Sequence, residues 1–124
     1  MTEPRAGFAR VAFDELAWQR DLAGASPAAR RVAQTIRARL ERDGQPINQL
    51  RACQAEGPQT SLPGCVKTYV PAPAGAWGLV FLIARDPRSD ALFLDHLAFG
   101  VRHPPANSRR PSVYQIAHDR LHRR

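Results

Sequence analysis

His96-Leu-Ala-Phe-Gly-Val-Arg-His-Pro-Pro105, followed by Arg109-Arg-Pro-Ser-Val-Tyr-Gln-Ile-Ala-His-Asp-Arg-Leu121, is the stretch on which the fold turns. An apolar strand runs into Gly100 and delivers Arg102 and His103 at its end. A Pro-rich connection, Pro104 to Pro111, then leads to a helix that carries Tyr114 and His118. Val113, Ile116, Ala117 and Leu121 recur at intervals of three and four, which gives that helix one apolar stripe to bury. Arginine, histidine and tyrosine thus converge on an exposed, basic edge, and such side chains suit gripping a polyphosphate and moving protons on it.

Two more strands precede this one. Cys65 to Val70 and Trp77 to Arg85 are bounded by Pro- and Gly-rich segments, with turns expected at Pro71-Ala-Pro-Ala-Gly75 and Asp86-Pro-Arg-Ser-Asp90. The second is nearly all apolar and reads as central. The third strand, Ala91 to Arg102, needs one polar face for His96. Since Arg102 lies an even number of residues beyond His96, a regular strand sets both on one face.

Further towards the N-terminus, Phe8 to Phe13 alternates weakly as a short first strand. Asp14 is a candidate N-cap for a helix carrying Leu16, Trp18 and Leu22 and ended by Gly24. Ser26-Pro27 restarts a helix whose stripe is Ala29, Val32, Ile36 and Leu40, with Gly44 as its stop. Residues 45 to 64 hold little periodicity and read as a long loop with a helical turn near Ile47 to Ala52. The expected class is α+β: one domain over 1–124, an N-terminal strand and helical hairpin packed on a small twisted antiparallel sheet, and a C-terminal helix.

Composition narrows the function. At 124 residues there is room for one modest core, and 44% hydrophobic with 23% charged residues is globular usage. The 18 Lys and Arg outweigh 11 Asp and Glu, and a net charge of +7 draws polyanions at long range. The longest apolar run, Trp77 to Ala84, is too short to span a bilayer, and no cleavable leader is evident, so no membrane partner and a cytoplasmic location are expected. Cys53 and Cys65 make neither a disulfide framework nor a metal site; reduced thiols are the default, and the pair could join on oxidation.

Cleavage of an RNA phosphodiester by its own 2′-OH needs a base, a cation for the phosphorane charge and an acid for the leaving oxygen. Arg102 suits the charge role because its planar fork grips two phosphate oxygens. Arg85 ends the neighbouring strand and is expected to add to that field. His103 suits a proton role, and Tyr114 does so where surrounding cations act on it. His118, four residues after Tyr114, shares its helix face and could hydrogen-bond to it. His118 and His122 have the spacing of a two-histidine metal pair, but no third ligand accompanies them, and a solvated pair is the better reading. His96, mid-strand among apolar residues, reads as structural. Trp18 and Trp77 read as core, and Arg30, Arg31, Arg37 and Arg39 as a solvated helix back.

The strand ending Gly100-Val-Arg102-His103 with Ser112-Val-Tyr114 shortly after resembles the close of the RelE/ParE superfamily of small bacterial toxins, and the element order is similar from about Phe8 to Leu121. The resemblance implies a type II toxin restrained by a cognate antitoxin. Ribonuclease members cut mRNA in the ribosomal A site with Arg, His and Tyr side chains and need no metal or cofactor. Matched by motif, Arg102, His103 and Tyr114 are the corresponding positions, with Lys67 as the basic residue on the second strand. With His118 they form the expected catalytic set, and Lys67, Arg85, Arg109 and Arg110 the expected RNA contacts. ParE-like members keep the fold but bind DNA gyrase, so a gyrase inhibitor or an inactive RNA-binding module is the alternative. Two departures stand out. Ala76-Trp77-Gly78 lacks the arginine that the family often carries on the central strand, and the eight residues Pro104 to Pro111 replace a shorter family connection.

Overall fold

Side-chain oxygens start each of the three helices in the computed structural model, which describes residues 5–54, 60–70, 76–85 and 91–123. Asp14 accepts from the Ala17 amide at the head of α1 (Glu15–Ala23). Ser26 accepts from Ala29, with Pro27 at the first position of α2 (Pro27–Asp43). Ser112 accepts from Gln115 at the head of α3 (Val113–Leu121). Each bond satisfies one of the amides that a helix start leaves without a partner. Gly44, at φ 86°, ends α2 where a Cβ would stand 2.7 Å from the Ala9 carbonyl oxygen. A side chain there would push α2 off the sheet.

The strands are β1 (Phe8–Ala12), β2 (Gln45–Pro46), β3 (Arg51–Ala52), β4 (Cys65–Val70), β5 (Trp77–Arg85) and β6 (Leu92–Val101). They form one sheet in the order β2-β1-β6-β5-β4-β3. Every neighbouring pair is antiparallel except β1 and β6, which run parallel with Arg10 beside Phe93 and Ala12 beside Asp95. The sheet is therefore mixed, not antiparallel throughout. Alternation and turn residues fix the direction of strands joined by short turns. They carry no information on β1, which reaches β6 only through the helices and the rest of the sheet. The expected long loop over 45–64 also needs correction. Its expected helical turn is present as a 3-10 turn at Ile47–Gln49, but the segment also contains β2 and β3, which close the two edges of the sheet. Strands of two residues are too short to leave a period. The turns expected at 71–75 and 86–90 lie outside the described residues.

The helical hairpin packs on one face of the sheet and α3 on the other. Trp18, Leu22, Ala29, Ala33, Ile36 and Leu40 meet Val66, Val70, Leu79, Phe81, Leu94 and Phe99. Val113, Tyr114 and Ala117 meet Cys65, Val80, Leu97 and Ala98 across the sheet. Fully burying one such Leu, Val or Phe contributes on the order of 1.5–3 kcal/mol, so the β5–β6 pair is held hard from both sides. Among the described residues no helix is long and apolar enough to cross a membrane.

One irregularity decides where the charged side chains go. Val80 pairs with Ala98 but Phe81 pairs with His96, so Leu97 is an extra residue in β6. Leu97 and Ala98 both turn toward α3. A bulge of this kind resets the alternation that follows it. His96 thus faces the hairpin, packed against Phe13 and Trp18, whereas Arg102 faces the α3 side. The shared face expected from their even spacing does not survive the bulge.

Candidate nucleic-acid interface

The alternation along β4 sends Cys65, Lys67 and Tyr69 to the α3 side of the sheet, while Val66 and Val70 join the core under the hairpin. Cross-strand pairing sets Arg51 of β3 opposite Lys67. Arg102, just past β6, is anchored by its own amide, which donates to the Ala76 carbonyl at 2.6 Å. Its Nε donates to the Tyr114 hydroxyl at 3.1 Å, and its guanidinium carbon lies 3.7 Å from the centre of the Tyr69 ring. Lys67 Nζ is 5.2 Å from the Tyr114 ring centre and 5.9 Å from that of Tyr69, and the Arg51 guanidinium is 5.8 Å from Tyr69. His103 tilts toward Tyr114 with ring centres 6.4 Å apart. Three cations and two tyrosines therefore share one patch. Each cation over a ring is favoured by roughly 0.5–1 kcal/mol at an exposed site.

A pair of glycines makes room for this arrangement. Gly78 and Gly100 face each other across β5 and β6. A Cβ on Gly78 would sit 3.1 Å from Arg102 Cγ, and one on Gly100 would touch Val113. The stem of Arg102 lies where a side chain at position 78 would be.

Of the residues expected to act together, Arg102, Tyr114, Lys67 and His103 come together. Arg85 does not. Neighbouring antiparallel strands finish at opposite ends of the sheet, and Arg85 pairs with Leu92 while Arg102 follows Val101, which pairs with Trp77. Eight residues of strand, about 26 Å, separate the two ends. His118 is also elsewhere. Its Nδ1 accepts from the Ser61 amide at 2.9 Å, and His122 Nε2 donates to the Ser61 carbonyl at 3.1 Å. The expected Tyr114–His118 hydrogen bond is replaced by the bond from Arg102, because the Tyr114 hydroxyl points to the sheet end. The two histidine rings lie 4.3 Å apart, but among the described residues no group of three or more His, Cys, Asp or Glu is placed to hold a metal ion. Arg109 is exposed in the connection before α3. Arg110 lines a cleft of about 240 Å³ with Trp77, Val101, Ile116 and Arg120, a different set of neighbours from those of Arg102.

Two members of the patch were missed by the sequence reading. Tyr69 follows Lys67 by two, so strand alternation alone places it on the same face. Arg51 sits in a two-residue strand inside an apparent loop, where no pattern signals it. Exposure divides the tyrosines: Tyr69 is 44% exposed and Tyr114 only 1%. Tyr69 can stack on a base, whereas Tyr114 serves to orient Arg102.

A second charged cluster lies at the free edge of β6, where the pairing with β1 has ended. Asp21 accepts from the Phe99 amide at 2.8 Å, from His96 Nε2 at 3.1 Å and from both terminal nitrogens of Arg120 at 2.7 and 3.1 Å. Arg120 also donates to the Leu97 carbonyl at 3.0 Å. A carboxylate only accepts, so His96 carries its hydrogen on Nε2. An ion pair thus satisfies backbone groups that a further strand would otherwise pair. The Asp21 side chain is 1% exposed and that of His96 is fully buried, which makes this cluster structural.

Set against protein-family models, curated proteins and solved structures, the chain matches none of them.

Proposed function

We propose that this protein binds single-stranded RNA across the α3 side of its sheet and acts as a RelE-like ribonuclease in the cytoplasm. Message on the ribosome would be the target, and a cognate antitoxin protein would restrain it. The observation that carries the reading is the gathering of Arg51, Lys67 and Arg102 around the exposed Tyr69 ring. Cations at this spacing suit a phosphate backbone, and an exposed ring accepts a base of any sequence. Arg102 would hold the scissile phosphate, Lys67 and Arg51 the flanking phosphates, and His103 would move the proton.

A second reading has an observation of its own. Tyr114 is buried and donates no open hydroxyl to the surface, and His118 is engaged by Ser61. Of the three groups expected to move protons, His103 is then left for both transfers. That favours a non-catalytic binder on the same surface, of which a ParE-like gyrase inhibitor is one form.

The two are separated by incubating the protein with translating ribosomes and message, alongside anisotropy titrations with a labelled single-stranded RNA at several salt concentrations. The nuclease reading expects new message ends that disappear in His103→Ala. Binding without cleavage supports the binder, and a supercoiling assay then tests gyrase. Absence of both RNA binding and cleavage rejects the RNA surface altogether.

A further inference from the structure

Cys53 and Cys65 meet across the β3–β4 ladder. The register there pairs Arg51 with Lys67 and Ala52 with Val66, so the next step sets Cys53 opposite Cys65. The Cys53 amide donates to the Cys65 carbonyl at 3.1 Å, which carries the antiparallel pairing on to these two residues. Both side chains pack in the apolar cluster under α3, so they project from one face of the sheet. A hydrogen-bonded pair of this kind has Cα atoms about 5.5 Å apart, within the roughly 4.4–6.8 Å that a disulfide spans, and its Cβ atoms must close from about 5 Å to about 4 Å. The remaining closure falls on β3, an edge strand of two residues that can yield. Access is unequal, because Cys65 is 4% exposed while Cys53 is half-buried.

We propose that Cys53 and Cys65 form a peroxide-responsive thiol pair that closes into an intrachain disulfide. The accessible Cys53 thiol reacts first with a hydroperoxide. Its sulfur takes the terminal oxygen to become a sulfenic acid, and the peroxide is reduced to water or an alcohol. The Cys65 sulfur then attacks the Cys53 sulfur. The S–S bond forms as the S–O bond breaks, and water leaves with the Cys65 proton. Two electrons pass from the two thiols to one peroxide, so the step balances. The bridge fastens β3 to β4 two residues from Arg51 and Lys67. It holds whatever that face of the sheet binds.

The test treats the folded full-length chain with hydrogen peroxide, alkylates with iodoacetamide and maps peptides by mass spectrometry, with and without dithiothreitol. The expected result is a monomer lighter by two hydrogens, one linked pair of peptides containing Cys53 and Cys65 after cleavage at Glu56 by a Glu-specific protease, and a Tm several degrees above that of the reduced protein. In Cys65→Ser, dimedone should trap the sulfenic acid at Cys53. Should that variant fail to fold, Cys53→Ser serves instead, with Cys65 expected to stay unmodified under the same dose. The proposal is overturned if both cysteines of the wild-type protein remain open to alkylation, if the bridges are only between chains, or if Cys53 oxidises without linking to Cys65.

Discussion

Two charged clusters hang on β6, one around its bulge and the other just past its end. Before and at the bulge, His96 and the Leu97 carbonyl join Asp21 and Arg120 in a network whose carboxylate is almost wholly dry. Beyond it, Arg102 lies on a half-exposed tyrosine among other cations. The first cluster pairs opposite charges and satisfies backbone groups. The second collects like charges at a surface that water still reaches. Paired charge in the dry region finishes the sheet, whereas positive charge gathered at an open surface suits a polyanion.

The sharpest way to break this contrast is Asp21→Ala. Arg120 would keep only the Leu97 carbonyl, and His96 and the Phe99 amide would lose their acceptor in a buried place. Removing one partner of a buried pair typically costs about 3–5 kcal/mol, so urea denaturation should show a loss of that size. His96→Ala should be milder but still destabilising, since the ring also packs on Phe13 and Trp18. A change below about 1 kcal/mol for Asp21→Ala, which is what an exposed pair gives, would remove the structural reading of the first cluster.

Arg102→Ala should act the other way round. Loss of the donor to the buried Tyr114 hydroxyl costs about 1–3 kcal/mol of stability at most, and the fold should persist. If Arg102 holds the reacting phosphate, cleavage should fall by about 10²–10³-fold. In binding assays the dependence of log affinity on log salt should flatten by about 0.7. An Arg102→Ala protein that cleaves and binds as before would leave the open cluster without a role. Gly78→Ala sharpens the same point with a smaller effect. The new methyl group meets the Arg102 stem at 3.1 Å, and a weakening of RNA binding by several-fold with little change in Tm is the expected outcome. Equal losses in both would mean that the glycine serves the sheet and not the arginine.

How far the sequence disclosed these clusters follows from the range of each signal. The caps at Asp14 and Ser26, the three long strands and the stripes of α2 and α3 are local, and each was legible from spacing. The parallel β1–β6 pairing, β2 and β3 depend on what meets what in space, and two-residue strands write no period. Arg102 with Tyr114 was legible because strand end and helix start adjoin in the chain. Asp21 with Arg120 was not, since they stand 99 residues apart. The bulge at Leu97 had the widest effect. No glycine or proline marks it, yet it moved Arg102 to the opposite face from His96. The error on Arg85 was of another kind, because antiparallel direction, already expected, should have placed it at the far end.

The smallest expected effect tests whether burial of the carboxylate is what separates the two clusters, using an ion pair whose carboxylate is exposed. Arg37 donates to Glu15 at 2.6 Å and to Glu41 at 3.1 Å, and the Glu15 side chain is 61% exposed. The Arg37 guanidinium, with help from Gln19, holds the Glu15 carboxyl below its ordinary value of 4.5, and Arg42 does the same for Asp43. A carboxyl depressed in the folded state adds stability above its unfolded pKa, and that contribution drains away as pH falls through the folded value. Glu15→Gln should therefore leave Tm at neutral pH almost unchanged and make the fall in Tm between about pH 5 and pH 3 shallower than in the wild-type protein. Water screens this pair as it does not screen Asp21 and Arg120. If Glu15→Gln lowered Tm at neutral pH as much as Asp21→Ala, exposure would not be what distinguishes the charges that hold this fold from those that only decorate it, and the contrast drawn along β6 would lose its physical basis.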